Sequence, residues 1–228
     1  MACQLLFDSV LKMTSEKLIV KTEFYVRNIL HNAEGGHDWW HIYRVWQNAK
    51  LIAREEKVNL LVVELAALLH DIADSKFHAG DETIGPKLAS QFLVSNAVDP
   101  EIISQVQQII TNISFKSSFN QIKSKSIELN VVQDADRLDA MGAIGIARAF
   151  NFGGYKNREI YNPNIPPNIN QTREEYKNSK GPTLNHFYEK LLRLKDLFNT
   201  DTGKKLAEHR HEVMVTYLAE FFAEWEVK

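Results

Sequence analysis

An all-α fold is what this sequence predicts. Three observations carry the expectation. Apolar residues recur at helical spacing through most of the chain, capping signals precede several of those runs, and strand-like alternation is nearly absent. Taken in order, a first helix opens near Thr14 or Ser15, carries Leu18, Phe24, Ile29 and Leu30, and is expected to stop at Gly35-Gly36. A second starts after Asp38 and runs through Trp39, Ile42, Val45, Trp46, Ala49 and Ile52 to Lys57. Asn59 is a good N-cap for a third, Leu60 to Leu69, whose almost wholly apolar surface marks it as the buried centre of the domain. A helix from Ile84 to Val94 follows, and Asp99-Pro100-Glu101 combines a capping acid, proline at the first helical position and an acidic first turn. Further helices are expected at Ile127 to Ala135, Leu138 to Phe152, Thr183 to Phe198 and Thr202 to Glu226.

Between Gly153 and Pro182 the pattern lapses, with Pro163, Pro166, Pro167 and Pro182 in the stretch. A loop that long inside a compact domain is more often functional than idle, and reads as a lid or as a linker to a C-terminal helical pair. We expect one domain over residues 1–228, with a core of about 18–152 and the helices of 183–226 packed upon it.

Composition narrows the function. The chain of 228 residues is 44% hydrophobic and 25% charged, ordinary globular values, with a formal net charge of -2. Without a global positive field, nucleic acid is not an expected partner. The single cysteine, Cys3, excludes an intrachain disulfide and a thiolate zinc cluster, which suits a cytoplasmic setting. Residues Met1 to Met13 lack the pattern of a signal peptide, and no apolar stretch approaches the ~20 residues that span a bilayer, so no membrane partner is expected.

The residues suited to chemistry interrupt apolar runs. The third helix ends in Leu69-His70-Asp71-Ile72-Ala73-Asp74, placing ligand-capable groups where a buried helix stops. Buried carboxylates are costly unless paired, hydrogen-bonded or metal-bound. His37 and His41 flank the start of the second helix, and Asp134, Asp136 and Asp139 interrupt the stretch that begins Val131-Val132. One of these acids could cap a helix starting near Leu138; capping does not explain three. Two imidazoles and two carboxylates form a mixed N/O set suited to one divalent ion, with Mn²⁺ favoured and Mg²⁺, Fe²⁺, Ni²⁺ or Co²⁺ admissible.

The order His41 … His70-Asp71 … Asp136 resembles the H…HD…D pattern of HD-domain metal-dependent phosphohydrolases, an all-helical superfamily. His37-Asp38-Trp39-Trp40-His41, Asp134-Ala135-Asp136-Arg137-Leu138-Asp139-Ala140 and Gly142-Ala143-Ile144-Gly145-Ile146-Ala147-Arg148 resemble its YedJ/YpgQ-like branch more narrowly. The likeness spans roughly Leu18 to Phe152. It implies His41, His70, Asp71 and Asp136 as metal ligands, and Asp74 as an acid touching metal-bound water. Glu82, with Asp81 second, falls where related enzymes carry an acidic pair that orients the attacking water. Asp81-Glu82-Thr83 also reads as a helix cap and acidic first turn.

Arg44, Lys76 and Arg137 are candidate phosphate contacts, and Tyr155, Lys156 and Arg158 could close over a nucleotide from the long loop. Lys116, Lys123 and Lys125 read as a solvated loop. The resemblance implies a (deoxy)nucleoside triphosphate hydrolysed to monophosphate and pyrophosphate. Nucleoside monophosphates, cyclic nucleotides and guanosine polyphosphates are alternatives, as is a regulator that binds nucleotide or metal without turnover. The aromatic run Phe221-Phe222-Ala223-Glu224-Trp225 reads as core or as the contact of a homodimer.

Overall fold

The computed structural model describes residues 14–31, 33, 38–73, 81, 83–113, 126–172, 174–175 and 179–228, and every element among them is helical. The first five helices are α1 (Ser15–Ile29), α2 (Trp39–Ala53), α3 (Leu60–Leu69), α4 (Ile84–Ser95) and α5 (Pro100–Asn112). Side-chain caps start four of them. Thr14 accepts from Lys17 N–H, Asp38 from His41, Asn59 from Val62 and Asp99 from Glu101. The first two helices end earlier than their apolar periodicity suggests, at Leu30 and Arg54 as C-caps.

Helix α3 is the axle. It packs against α1, α2 and α5, and Val62, Val63 and the run Leu65 to Leu69 have no exposed surface. Burying a Leu or Val side chain contributes roughly 1.5–3 kcal/mol, so this helix is held by its surroundings on nearly every side. Ile42, Val45, Ala49 and Ile52, spaced three and four apart, form the stripe that α2 turns inward.

The next two helices differ from the expected division. Instead of breaking between Ala135 and Leu138, α6 runs unbroken over Ile127–Asp139, and α7 covers Gly142–Tyr155. Asp134-Ala135-Asp136-Arg137 contains no glycine or proline to break a helix. The break comes at Gly142, whose φ of +67° is a left-handed conformation that glycine alone adopts without cost. All three aspartates therefore ride on one helix.

The expected helix from Thr183 to Phe198 is also divided, into α8 (Asn185–Glu189) and a 3-10 stretch (Leu191–Leu197). Lys190, at φ -141° and ψ -58°, lies outside helical geometry and separates them. Helix α9 (Asp201–Trp225) then packs on α6 and α7.

Two anchors attach α9 to α6. Asp134, fully buried, accepts from the backbone N–H and side-chain amide of Asn199 and from the N–H and hydroxyl of Thr200, the N-cap of α9. Arg210, midway along α9, donates to the Leu138 carbonyl and to Asn48 Oδ1.

The proline-rich segment is tied down along its described length. Thr183 and Leu184 N–H donate to the Glu159 and Ile160 carbonyls at 2.8 and 3.0 Å, which ties the two ends of the segment together. Asn185 donates to the Ile165 carbonyl, and Tyr161 packs edge-on against Phe221, Phe222 and Trp225 of α9. The C-terminal aromatic run thus has an intramolecular role, although Trp225 is half exposed.

Candidate metal centre

Three helices deliver the candidate ligands. Asp38, the N-cap of α2, accepts the backbone N–H of His41 at 2.9 Å, which fixes where the first turn carries that side chain. His70 is the C-cap of α3 and Asp71 follows it; Asp136 stands in the last part of α6. The ligand atoms of His41, His70 and Asp71 all lie within 4.8 Å of one another. Asp136 Oδ1 is 3.6 Å from His41 Nε2 and 3.9 Å from His70 Nε2, and Asp71 Oδ2 is 3.9 Å from His41 Nε2.

Two buried imidazoles and two partly exposed carboxylates thus converge, a neutral-nitrogen and anionic-oxygen set that fits a divalent cation. His70 is already oriented to ligate. Its Nδ1 lies 2.9 Å from the Ala67 carbonyl, which can only accept, so Nδ1 carries the proton and Nε2 the lone pair. Burial holds the His41 pKa below the ordinary imidazole value, despite the opposing influence of Asp139, and so favours the neutral form that ligates.

Behind His41 stands a residue that spacing alone does not single out. Asp139 Oδ2 is 2.8 Å from His41 Nδ1; Arg44 Nε and Nη2 donate to the two carboxylate oxygens at 2.6 and 3.0 Å, and Arg148 Nη1 donates to Oδ2 at 2.7 Å. Burial alone would raise the Asp139 pKa, but the hydrogen bonds from His41 and Arg44 and the charge of Arg148 hold it well below the usual carboxylate range. The available signal is the excess of acids in an apolar helix, since a buried aspartate implies partners.

The other expected site residues divide. Arg44 is close to the centre, with two of its N–H groups committed to Asp139. Arg137, an expected phosphate contact, has its guanidinium engaged away from the converging ligands. It is buried and donates to the Leu197 carbonyl beside Asp134, because one residue beyond Asp136 is about 100° around the helix. Asp81 accepts from the N–H and hydroxyl of Thr83 at 2.8 and 2.7 Å in a turn ahead of α4. The N-cap position falls on Thr83, whose side chain makes no cap hydrogen bond, and the first turn carries no acid, so the expected cap and acidic first turn are not formed by Asp81.

Tyr155 is exposed at the end of α7 with the Lys156 ammonium 4.7 Å from its ring, and Arg158 donates to the Ser179 carbonyl at 2.6 Å. His37, Asp74, Lys76, Glu82, Lys116, Lys123 and Lys125 lie outside the described residues. A groove between α4 and α5, lined by Lys87, Gln91 and Gln107 among others, contains none of the converging ligands. Among the described residues, no helix is long and apolar enough to cross a membrane.

Comparison with known proteins agrees with this architecture. The profile of the HD domain matches residues 39–141, the span from the start of α2 to the end of the α6–α7 turn. The Bacillus subtilis protein YpgQ is 40% identical over 197 residues, covering 85% of this chain and 87% of its own. A crystal structure of YpgQ in complex with ADP superposes with a TM-score of 0.73 at 38% identity, covering 93% of this chain and 97% of that one. An HD-superfamily hydrolase from Bacillus thuringiensis gives a TM-score of 0.76 at 43% identity, with 94% of this chain and all of the other covered. A Lactobacillus plantarum protein of known structure gives 0.80 at 39% identity, covering 95% of this chain and 100% of that one. This chain belongs to the HD-domain superfamily of hydrolases, in the branch that contains YpgQ.

Proposed function

We propose that this protein is a divalent-metal-dependent phosphohydrolase of the cytoplasm that cleaves a (deoxy)nucleoside triphosphate to monophosphate and pyrophosphate. The observation that carries the reading is the convergence of His41, His70, Asp71 and Asp136 from three helices upon one small volume. When bound there, a divalent cation, Mn²⁺ by preference, neutralises phosphoryl charge and acidifies water. The crystal structure of YpgQ with ADP supports a nucleotide as the ligand class.

The chain's own residues divide the remaining work. His41 and His70 bring neutral nitrogen and Asp71 and Asp136 bring the negative charge that holds the cation. Asp74 and Glu82 are assigned the handling of the water proton by their place in the motif. Glu82 precedes Asp81 in this assignment because Asp81 already accepts from Thr83. Lys76, the third nitrogen of Arg44 and Arg158 are assigned phosphates, and Tyr155 the base.

The test is a nucleotide screen with Mn²⁺, Mg²⁺ or Co²⁺ added, reading pyrophosphate and orthophosphate separately. Release of pyrophosphate alone is the expected result, and orthophosphate alone would make the enzyme a phosphatase instead. Asp71→Ala should abolish both turnover and metal retention while helical content stays; normal turnover in that variant contradicts the ligand set. Glu82→Gln should lose rate and keep metal, and an unchanged rate would take the proton-handling role from Glu82.

A further inference from the structure

Asp139 is almost fully buried, its side chain 1% exposed, and it is not one of the four converging ligands. A carboxylate in such a place is tolerated only when its charge is met, and here three groups from three directions meet it. Arg44 belongs to the same helix as His41, three residues on, and grips both oxygens in a fork that fixes the carboxylate plane. Arg148 reaches in from α7 and bonds both Oδ2 and the Asp139 main-chain carbonyl, at 2.7 and 3.1 Å. The remaining direction of Oδ2 is filled by His41 Nδ1 at 2.8 Å.

An ionised carboxylate accepts and cannot donate, so the His41 proton lies on Nδ1. The lone pair is then on Nε2, the nitrogen that faces Asp71 and Asp136. The plane of Asp139 is fixed by its arginines, and the imidazole ring follows that plane. His70 obtains the same tautomer from a main-chain carbonyl, so both imidazoles are prepared alike by acceptors of different kinds.

We propose that Asp139 is a positioning residue of the metal centre, which sets the tautomer and ring orientation of His41 and is itself held by Arg44 and Arg148. The role rests on the reading of His41 as a ligand. Partners of this type commonly change metal affinity by about 10–100-fold when removed.

The experiment compares full-length wild type, Asp139→Ala and Asp139→Asn by calorimetric titration with Mn²⁺, beside circular dichroism and ¹⁵N NMR of labelled histidine in the metal-free protein. Asp139→Ala should raise the Mn²⁺ Kd by about 10–100-fold with helical content retained. Asp139→Asn, whose amide oxygen still accepts from Nδ1, should raise it less. In the wild type His41 should show the Nδ1–H tautomer, a signature that a packing role alone would not require.

A wild-type Kd in Asp139→Ala, or a wild-type His41 protonated on Nε2, overturns the positioning role and leaves the ligand set standing. A wild type that binds no Mn²⁺ refutes the metal reading itself, and this role with it. Should Asp139→Ala fail to fold, the wild-type tautomer and the Asp139→Asn titration decide the matter.

Discussion

Replacing Asp134 with alanine should cost the fold about 3–5 kcal/mol, the usual loss when one partner of a buried ion pair is deleted. Its carboxylate is fully buried and accepts from Asn199 N–H at 3.0 Å, the Asn199 amide at 2.9 Å, and both the N–H and the hydroxyl of Thr200 at 2.8 Å. Arg137, also buried, has its guanidinium 3.5 Å away. Deletion strands two backbone donors at the start of α9, each worth about 1–3 kcal/mol if left unmet, and takes from Arg137 its hydrogen-bonded carboxylate. These losses overlap, so the ion-pair figure stands for the whole. For a chain of 228 residues it corresponds to a fall in Tm of roughly 6–20 °C. Urea unfolding followed by circular dichroism measures it, with Asp134→Asn as the milder control that keeps one oxygen. A loss below about 1 kcal/mol, the scale of an ordinary substitution, would refute the claim that this carboxylate anchors the C-terminal helix.

Other expectations follow from single features. A methyl group at Gly145 would strike the backbone carbonyl of Ala140, so Gly145→Ala should lose roughly 1–3 kcal/mol in the same urea assay. Burial, aided by the charges of Lys190 and Arg158, pushes the His186 pKa down to about 3. Between about 6.5 and that value the unfolded chain binds a proton that the folded chain refuses, so stability is full above the window and falls as pH drops through it. Wild type should therefore lose stability on acidification faster than His186→Gln, by up to about 1.4 kcal/mol per pH unit; parallel pH profiles would reject this. We propose that the chain unfolds as one unit, because Asp134 and Arg210 join α9 to α6. Circular dichroism and tryptophan fluorescence should then report coincident thermal transitions, and two separate ones would make the C-terminal helices a unit of their own.

Much of the fold is open to sequence reasoning because it is written in short-range signals. Asp38, Asn59 and Asp99 cap the helices their positions suggest, and the apolar stretch Leu60 to Leu69 is the buried centre. His41, His70-Asp71 and Asp136 can be grouped because a metal-ligand pattern is recognisable by order along the chain. What escapes is long-range. The partners of Asp139 on α2 lie 95 and 98 residues away, and those of Asp134 65 and 66 residues away, and no local period announces either pairing. The partners of Arg137 fall in the same gap: it is next to Asp136 in sequence, yet its guanidinium reaches the Leu197 carbonyl 60 residues away. The division of residues 183–198 at Lys190 reflects a backbone geometry that composition does not reveal.

At about 100° per residue, Asp136 and Asp139, three apart, share one face of α6, whereas Asp134 points away from both. Asp134 is committed to the cap of α9 and Asp139 to His41 and its arginines, one on each side of Asp136 in the chain. Neither commitment survives a rotation or a slide of the helix, so the carboxylate between them has its depth and bearing decided before any ion arrives. We infer that a cradle with so little give would discriminate by ionic radius among the divalent ions it could hold. Calcium, which prefers six to eight oxygens at about 2.3–2.6 Å, asks for a roomier and more pliant shell than two imidazoles and two carboxylates on a pinned helix provide.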